Sequence, residues 1–147
     1  MGAVTRYLLD TDIAVFAMRR NATIIARLAN KRTADVITSA LVYSQLLQGI
    51  DLQPFPDIER ALVANLVMTI VVFPYDQTAA EIYGEIVRTK GYNRRHAFDR
   101  MIAAHAISLD ATLVTNNTDD FADIDGLRLE NWAGYPNSSL DNRARAA

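Results

Sequence analysis

Oxygen-bearing side chains recur in this chain wherever a short apolar run stops. "YLLDTD" ends on Asp10 and Asp12, one residue apart, and "LVTNNTDDF" follows an apolar pair with Thr115, Asn116, Asn117, Asp119 and Asp120. Asp99 opens the apolar stretch "FDRMIAAHA". Carboxylates brought within about 4 Å of one another repel by roughly 4 kcal/mol per pair at an effective dielectric near 20, so a converging set needs a cation or protons to hold it. The chain has no cysteine and two histidines. Any metal would therefore be a hard ion held by oxygen, Mg²⁺ first and Mn²⁺ next.

These acids need a scaffold that delivers them to one place. "TRYLLD" (residues 5–10), "DVITSA" (35–40), "TIVVFP" (69–74) and "ATLVT" (111–115) read as short strands, with "LRLEN" (127–131) as a fifth. Helical patterns lie between them. Asn21 is placed to cap a helix that ends with Lys31 and Arg32 facing its dipole, and Gly49 and Gly91 read as helix stops. Strands alternating with helices predict an α/β domain: a central, mostly parallel sheet of about four to five strands flanked by helices. In such sheets ligands bind beyond the carboxyl ends of the strands, where Asp10, Asp12, Thr38, Ser39, Asp76, Asn116, Asn117, Asp119 and Asp120 all fall. One domain is expected over residues 1–132, with 133–147 a loose polar tail.

Composition narrows the setting. Half of the 147 residues are hydrophobic, 22% are charged and the net charge is −2, which suits a soluble globular protein and gives no bulk attraction to nucleic acid. No signal-peptide pattern and no apolar window of membrane-spanning length is present, so a cytoplasmic protein without membrane contact is expected. Basic character is local: "RTKGYNRRH" gathers Arg88, Lys90, Arg94 and Arg95 around Tyr92 just before Asp99. Such a segment suits a nucleic-acid backbone with a stacking ring, although a solvated helix end has the same composition. Each acid likewise has a plainer reading: Asp10, Asp12, Asp76 and Asp99 as helix caps, Asp119 and Asp120 as a solvated turn, His105 as a buried histidine.

The order of these motifs resembles that of PIN-domain ribonucleases, specifically the VapC-type toxins of VapBC toxin–antitoxin pairs. The resemblance runs from "YLLDTDIAVF" through "ITSALVYSQLLQGI" and "FDRMIAAHAISLDATLVTNNTDDF" to "GLRLENW". It matches Asp10, Asp99 and Asp120 to three of the family's acids. The fourth, a Glu a few residues before a Gly, falls on Gln45, which keeps an acceptor oxygen and loses the charge. The family implies an Mg²⁺-dependent endoribonuclease acting on structured RNA such as tRNA or rRNA, held inactive by a VapB-type antitoxin and forming homodimers, with DNA reached only through the antitoxin.

On this reading the catalytic set is Asp10, Gln45, Asp99 and Asp120, with Asp10 and Asp99 binding the metal. Asp120 and Asn117 hold its waters, while Thr11, Thr115 and Asn116 fix the carboxylates. Asp12 stands where many relatives have Asn and could return the charge that Gln45 lacks. Two rivals remain at this level. One is a non-catalytic PIN module that binds RNA or an antitoxin; the other is a haloacid-dehalogenase-like phosphohydrolase, with Asp10 as nucleophile, Asp12 as acid/base and Thr38 or Ser39 as its second motif.

Overall fold

The apolar runs that end on acids are the interior strands of one sheet. The computed structural model describes residues 5–134. Its strands are β1 (Arg6–Leu9), β2 (Val36–Ser39), β3 (Val71–Phe73), β4 (Ala111–Val114) and β5 (Arg128–Glu130). They pair in the order β3-β2-β1-β4-β5, and every pairing is parallel. β2 and β4 are buried at every residue, whereas β3 and β5, at the edges, are partly exposed. Near-continuous Val, Ile and Leu runs are what a sheet covered on both faces requires.

The helices are α1 (Thr11–Met18), α2 (Ala22–Ala29), α3 (Ala40–Gly49), α4 (Pro56–Thr69), α5 (Gln77–Lys90), α6 (Ala97–Ser108) and α7 (Thr118–Phe121). Local chemistry starts several of them where the sequence predicts. Asn21 accepts the N–H groups of Thr23 and Ile24, Ser39 accepts that of Leu41, and Asp76 accepts that of Ala79. Gly91 ends α5 at φ 83°, a left-handed conformation that glycine adopts without a Cβ penalty. Gly49 does not act this way: its φ is −76°, and the chain passes straight into a 3₁₀ turn at Ile50–Leu52. Lys31 and Arg32 also lie beyond the end of α2. The Lys31 ammonium instead sits 4.6 Å from the Tyr7 ring centre, a cation–π contact, and Arg32 faces Asp35 at 3.6 Å.

Leu8, Leu9, Ile13, Ile24, Ile102, Leu113 and Val114 are fully buried and join sheet to helices. Trp132 closes the core beside Tyr7, with ring centres 5.3 Å apart, and its indole N–H donates to Glu130 at 2.9 Å. Ala133 is buried next to it, so order extends just past the expected domain end; of the expected tail, residues 135–147 lie outside the described residues. Among the described residues no helix is long and apolar enough to cross a membrane. Trp132→Ala removes the largest fully buried side chain among the described residues and is expected to cost about 3–5 kcal/mol in urea unfolding; a loss below about 1 kcal/mol would show that Trp132 is not part of the core.

Candidate active site

The strand order determines where the acids meet. β1 is followed by β2 and β3 on one side, while β4 and β5 lie on the other, so the chain diverges beyond the carboxyl ends of β1 and β4. Asp10 is the first residue after β1 and Thr115 the first after β4. Leu9 is in register with Val114, and the Asp10 N–H donates to the Val114 carbonyl at 2.9 Å. Residues 105 positions apart in sequence are thereby placed side by side.

Asp10 is both cap and buried acid. One carboxylate oxygen accepts the Thr11 N–H at 2.8 Å and starts α1; the other accepts the Thr115 hydroxyl at 2.9 Å. The Thr115 Oγ1 itself accepts the Asn117 N–H at 3.0 Å, which fixes the direction in which the hydroxyl donates. Asp12, one residue into α1, points toward the same β4 turn. Its Oδ1 accepts the Ile13 N–H at 2.8 Å and its Oδ2 the Asn116 N–H at 3.0 Å. Asp99 is the third residue of α6, which His96 precedes without a side-chain cap, and Asp120 lies on α7, exposed. The plainer reading of Asp99 as a cap is therefore not what the structure shows.

Proton affinities record the crowding. Burial raises the Asp10 pKa to about 7, the charges of Asp12 and then Asp99 adding to it against the opposing hydrogen bonds of Thr11 and Thr115. Asp12 is raised by burial, against the N–H groups it accepts. Asp99 is raised by burial and next by Asp120; His96 opposes this, and Asp12 adds to it. Asp10, Asp12, Asp99 and Asp120 thus form one electrostatic group. Gln45, on α3, joins it through Thr11, whose hydroxyl donates to the Gln45 Oε1.

Other predicted residues divide. Arg88 is paired with Glu85 at 2.8 Å on α5, and Lys90 approaches Asp125 at 4.0 Å, so both cations already face acids. Tyr92, Arg94 and Arg95 are exposed on the turn that leads into α6, a few residues before Asp99. Thr38 and Ser39, needed by the phosphohydrolase alternative, are committed elsewhere: the Thr38 hydroxyl donates to the Leu9 carbonyl, and Ser39 caps α3 and meets the His105 Nδ1 at 2.7 Å. His105 is fully buried, and burial pushes its pKa down. His96 was not anticipated as a neighbour of Asp99, although its position three residues earlier is a legible signal. The ion pair of Arg19 with Glu59, 40 residues apart in sequence, has no such signal.

The donor set suits a hard divalent ion. It contains carboxylates whose mutual repulsion a cation would relieve, with amides and hydroxyls behind them and no thiolate. No group of three or more acidic or histidine side chains among the described residues encloses a ready-made metal cage.

The PIN-domain family model matches residues 7–127, covering β1 through α7 and the turn before β5. The chain belongs to the PIN-domain family. A relative from Shigella flexneri, the tRNA(fMet)-specific endonuclease VapC, is 31% identical over 130 residues, spanning 87% of this chain and 98% of its own. The enzyme of the same name from Salmonella typhimurium is 30% identical over 131 residues, 86% of this chain and 98% of its own. Among solved structures, DNA-bound VapBC from Salmonella typhimurium is similar at a TM-score of 0.76 and 29% identity, covering 87% of this chain and 98% of that one. VapBC2 from Rickettsia felis on a promoter DNA fragment gives 0.73 and 27%, with coverage of 86% and 98%. In this PIN domain Asp10 and Asp12 stand at the mouth of the sheet, with a neutral Gln45 joined to them through Thr11.

The raised Asp10 pKa fixes the sign of a pH effect on the metal-free protein. An unfolded Asp ionises near its ordinary value of 3.8, the folded one near 7, so between these pH values the native state holds the extra proton. Stability from this group is complete below the lower value and is lost as pH rises through the upper one, by up to about 4 kcal/mol. Urea titrations are expected to show Asp10→Asn close to wild type at pH 4 and the more stable protein at pH 8. A difference independent of pH would refute the assignment.

Proposed function

We propose that this PIN domain is a metal-dependent endoribonuclease that hydrolyses RNA phosphodiester bonds as the toxin of a toxin–antitoxin pair. The observation that carries the reading is the fixed Asp10 carboxylate at the β1/β4 mouth, held by Thr11 and Thr115 and facing the charges of Asp12 and Asp99, the latter in turn facing Asp120. Asp10 and Asp99 would hold Mg²⁺, or Mn²⁺, directly or through water. Bound there, the cation supplies a water of lowered pKa and charge to offset that growing on the phosphate.

The chain's own side chains set the geometry of that chemistry. Thr115 and the Thr11 N–H keep the Asp10 oxygens in fixed directions, so the carboxylate needs little reorganisation when the substrate arrives. Asn116 holds Asp12 through its N–H, adding a negative charge on the β4 side. Asp120, exposed at the rim, and Asn117 are suited to orient water. Arg94 and Arg95 on the turn before α6, with Tyr92 beside them, offer the RNA a cationic and stacking approach to Asp99.

The named complexes of VapB with VapC support a small antitoxin as partner, with DNA bound through it. Leu52, Phe55, Ile58, Met68 and Val71 are exposed apolar side chains on or beside α4 and the edge strand, surface that a partner or a second copy would cover. Asp10→Asn is expected to lower RNA cleavage at least a hundredfold, read by gel on total RNA; undiminished cutting would overturn the site.

Gln45 favours one qualification of the activity. A glutamate there would keep the acceptor for the Thr11 hydroxyl and add a negative charge. Gln45→Glu is therefore expected to shift the Mg²⁺ concentration for half-maximal cleavage down about tenfold, the equivalent of roughly 1.4 kcal/mol. Identical Mg²⁺ curves would show that the neutral side chain costs the site nothing, and metal binding with no cleavage by either form would favour the non-catalytic reading. Neutralising Arg94 and Arg95 together is expected to reduce the slope of log K for RNA against log salt by about 1.4 to 1.8 if each meets one phosphate. An unchanged slope would move the RNA path elsewhere.

A further inference from the structure

Immediately beside the acids, on the far side of Thr11, lies a cleft of about 220 Å³ between α1, α3 and the start of α4. Its walls include Val15 and Leu46, and its polar groups are Thr11, Arg19, Gln45, Gln53 and Glu59. Drug-sized sites run to roughly 300–1,000 Å³, so this cleft suits a single planar ring system. The Arg19 guanidinium meets the Glu59 carboxylate in a fork, at 2.8 and 3.1 Å. Glu59 is nearly buried, with 11% of its side chain exposed, whereas Arg19 keeps 43%. An ion pair lining a cleft, with one partner nearly buried, is costly to desolvate. The pair does tie α1 to α4, but a tie alone does not require the amides of Gln45 and Gln53 in the lining of the same cleft. The Gln53 amide has no hydrogen-bond partner among the described residues.

We propose that this cleft receives one nucleobase of the RNA strand, next to the phosphate that is cut, and reads its edge. The inference rests on the ribonuclease reading above and adds to it the place where sequence preference is set. A base presents donors and acceptors on one planar edge. Carboxylate lone pairs on Glu59 beyond those used by Arg19, the remaining N–H groups of Arg19, and two amides offer both kinds of partner. Val15 and Leu46 provide apolar contact for the ring. Thr11 belongs to both regions, since it follows Asp10 and its hydroxyl donates to Gln45, so a base in the cleft would leave its phosphate at the acidic rim.

The test uses the whole chain and short RNA oligonucleotides that differ only in the base at one position on either side of the cut. Fluorescence anisotropy without added metal measures binding, and cleavage with Mg²⁺ is measured in parallel. Wild type is expected to favour one base at one position by roughly tenfold. Gln53→Ala and Glu59→Gln should each flatten that preference, lowering affinity for the favoured oligonucleotide while leaving the others unchanged. Gln53 lies on a partly exposed turn, so its variant reports on recognition even if Glu59→Gln weakens the fold. Equal binding of all four bases by wild type overturns the proposal. So does an unaltered base profile in Gln53→Ala, including the case where that variant loses only antitoxin binding. Base-selective binding without cleavage would instead refute the nuclease reading and leave the cleft's role supported.

Discussion

The pairing of β1 with β4 is the constraint on which this molecule depends. A hydrogen bond from the Asp10 N–H to the Val114 carbonyl closes the ladder at its carboxyl end, and the next atoms along each chain are the Asp10 carboxylate and the Thr115 hydroxyl. A one-residue slip in that register would turn every side chain of β1 to the opposite face. Leu8 and Leu9, both fully buried, are apolar on the two faces in turn, so burial alone does not choose the register. The polar contacts at the strand ends do: only the observed pairing gives Asp10 its Thr115 donor and Asp12 its Asn116 N–H.

Holding the acids there works against stability. Three of the four carboxylates bind protons more tightly than free aspartates, with burial the leading cause in each. The fold offsets this with the apolar strands directly behind them and with N–H and O–H donors aimed at the oxygens of Asp10 and Asp12. Those donors stabilise the charged form and oppose the protonation that burial favours. Destabilisation near the chemistry and compensation in the core are two sides of one arrangement.

Much of this was legible in the sequence because local and global signals agree. Asn21, Ser39 and Asp76 cap helices where their types and positions say they should, and strands that alternate with helices give a parallel sheet with ligands at its mouth. Asp10 and Asp120 fall at that mouth by topology, whereas Asp99, on a helix, was singled out by the resemblance to the PIN family. What escaped the sequence was decided by tertiary contact. α3 does end at Gly49, but by passing into a 3₁₀ turn rather than through a left-handed glycine; Lys31 leaves its helix end for the Tyr7 ring, and Arg88 is taken by Glu85. The Arg19–Glu59 pair joins residues far apart in the chain, and no spacing rule announces it.

Asp12 shows why residue type alone could not assign a role. Both its oxygens accept backbone N–H groups, one from its own helix and one from the β4 turn, which is the behaviour of a cap and of a cross-brace together. Its charge nevertheless acts on both Asp10 and Asp99. Asn in the same place could accept those N–H groups with one oxygen only and would carry no charge, so the carboxylate is what allows a structural brace to contribute to the field as well. Gln45 makes the opposite exchange, retaining an acceptor for Thr11 without a charge. Of the side chains around Thr11, the acids Asp10 and Asp12 therefore lie on the β1 and β4 side, whereas on the α3 side Gln45 is neutral and the Glu59 carboxylate of the neighbouring cleft is paired with Arg19.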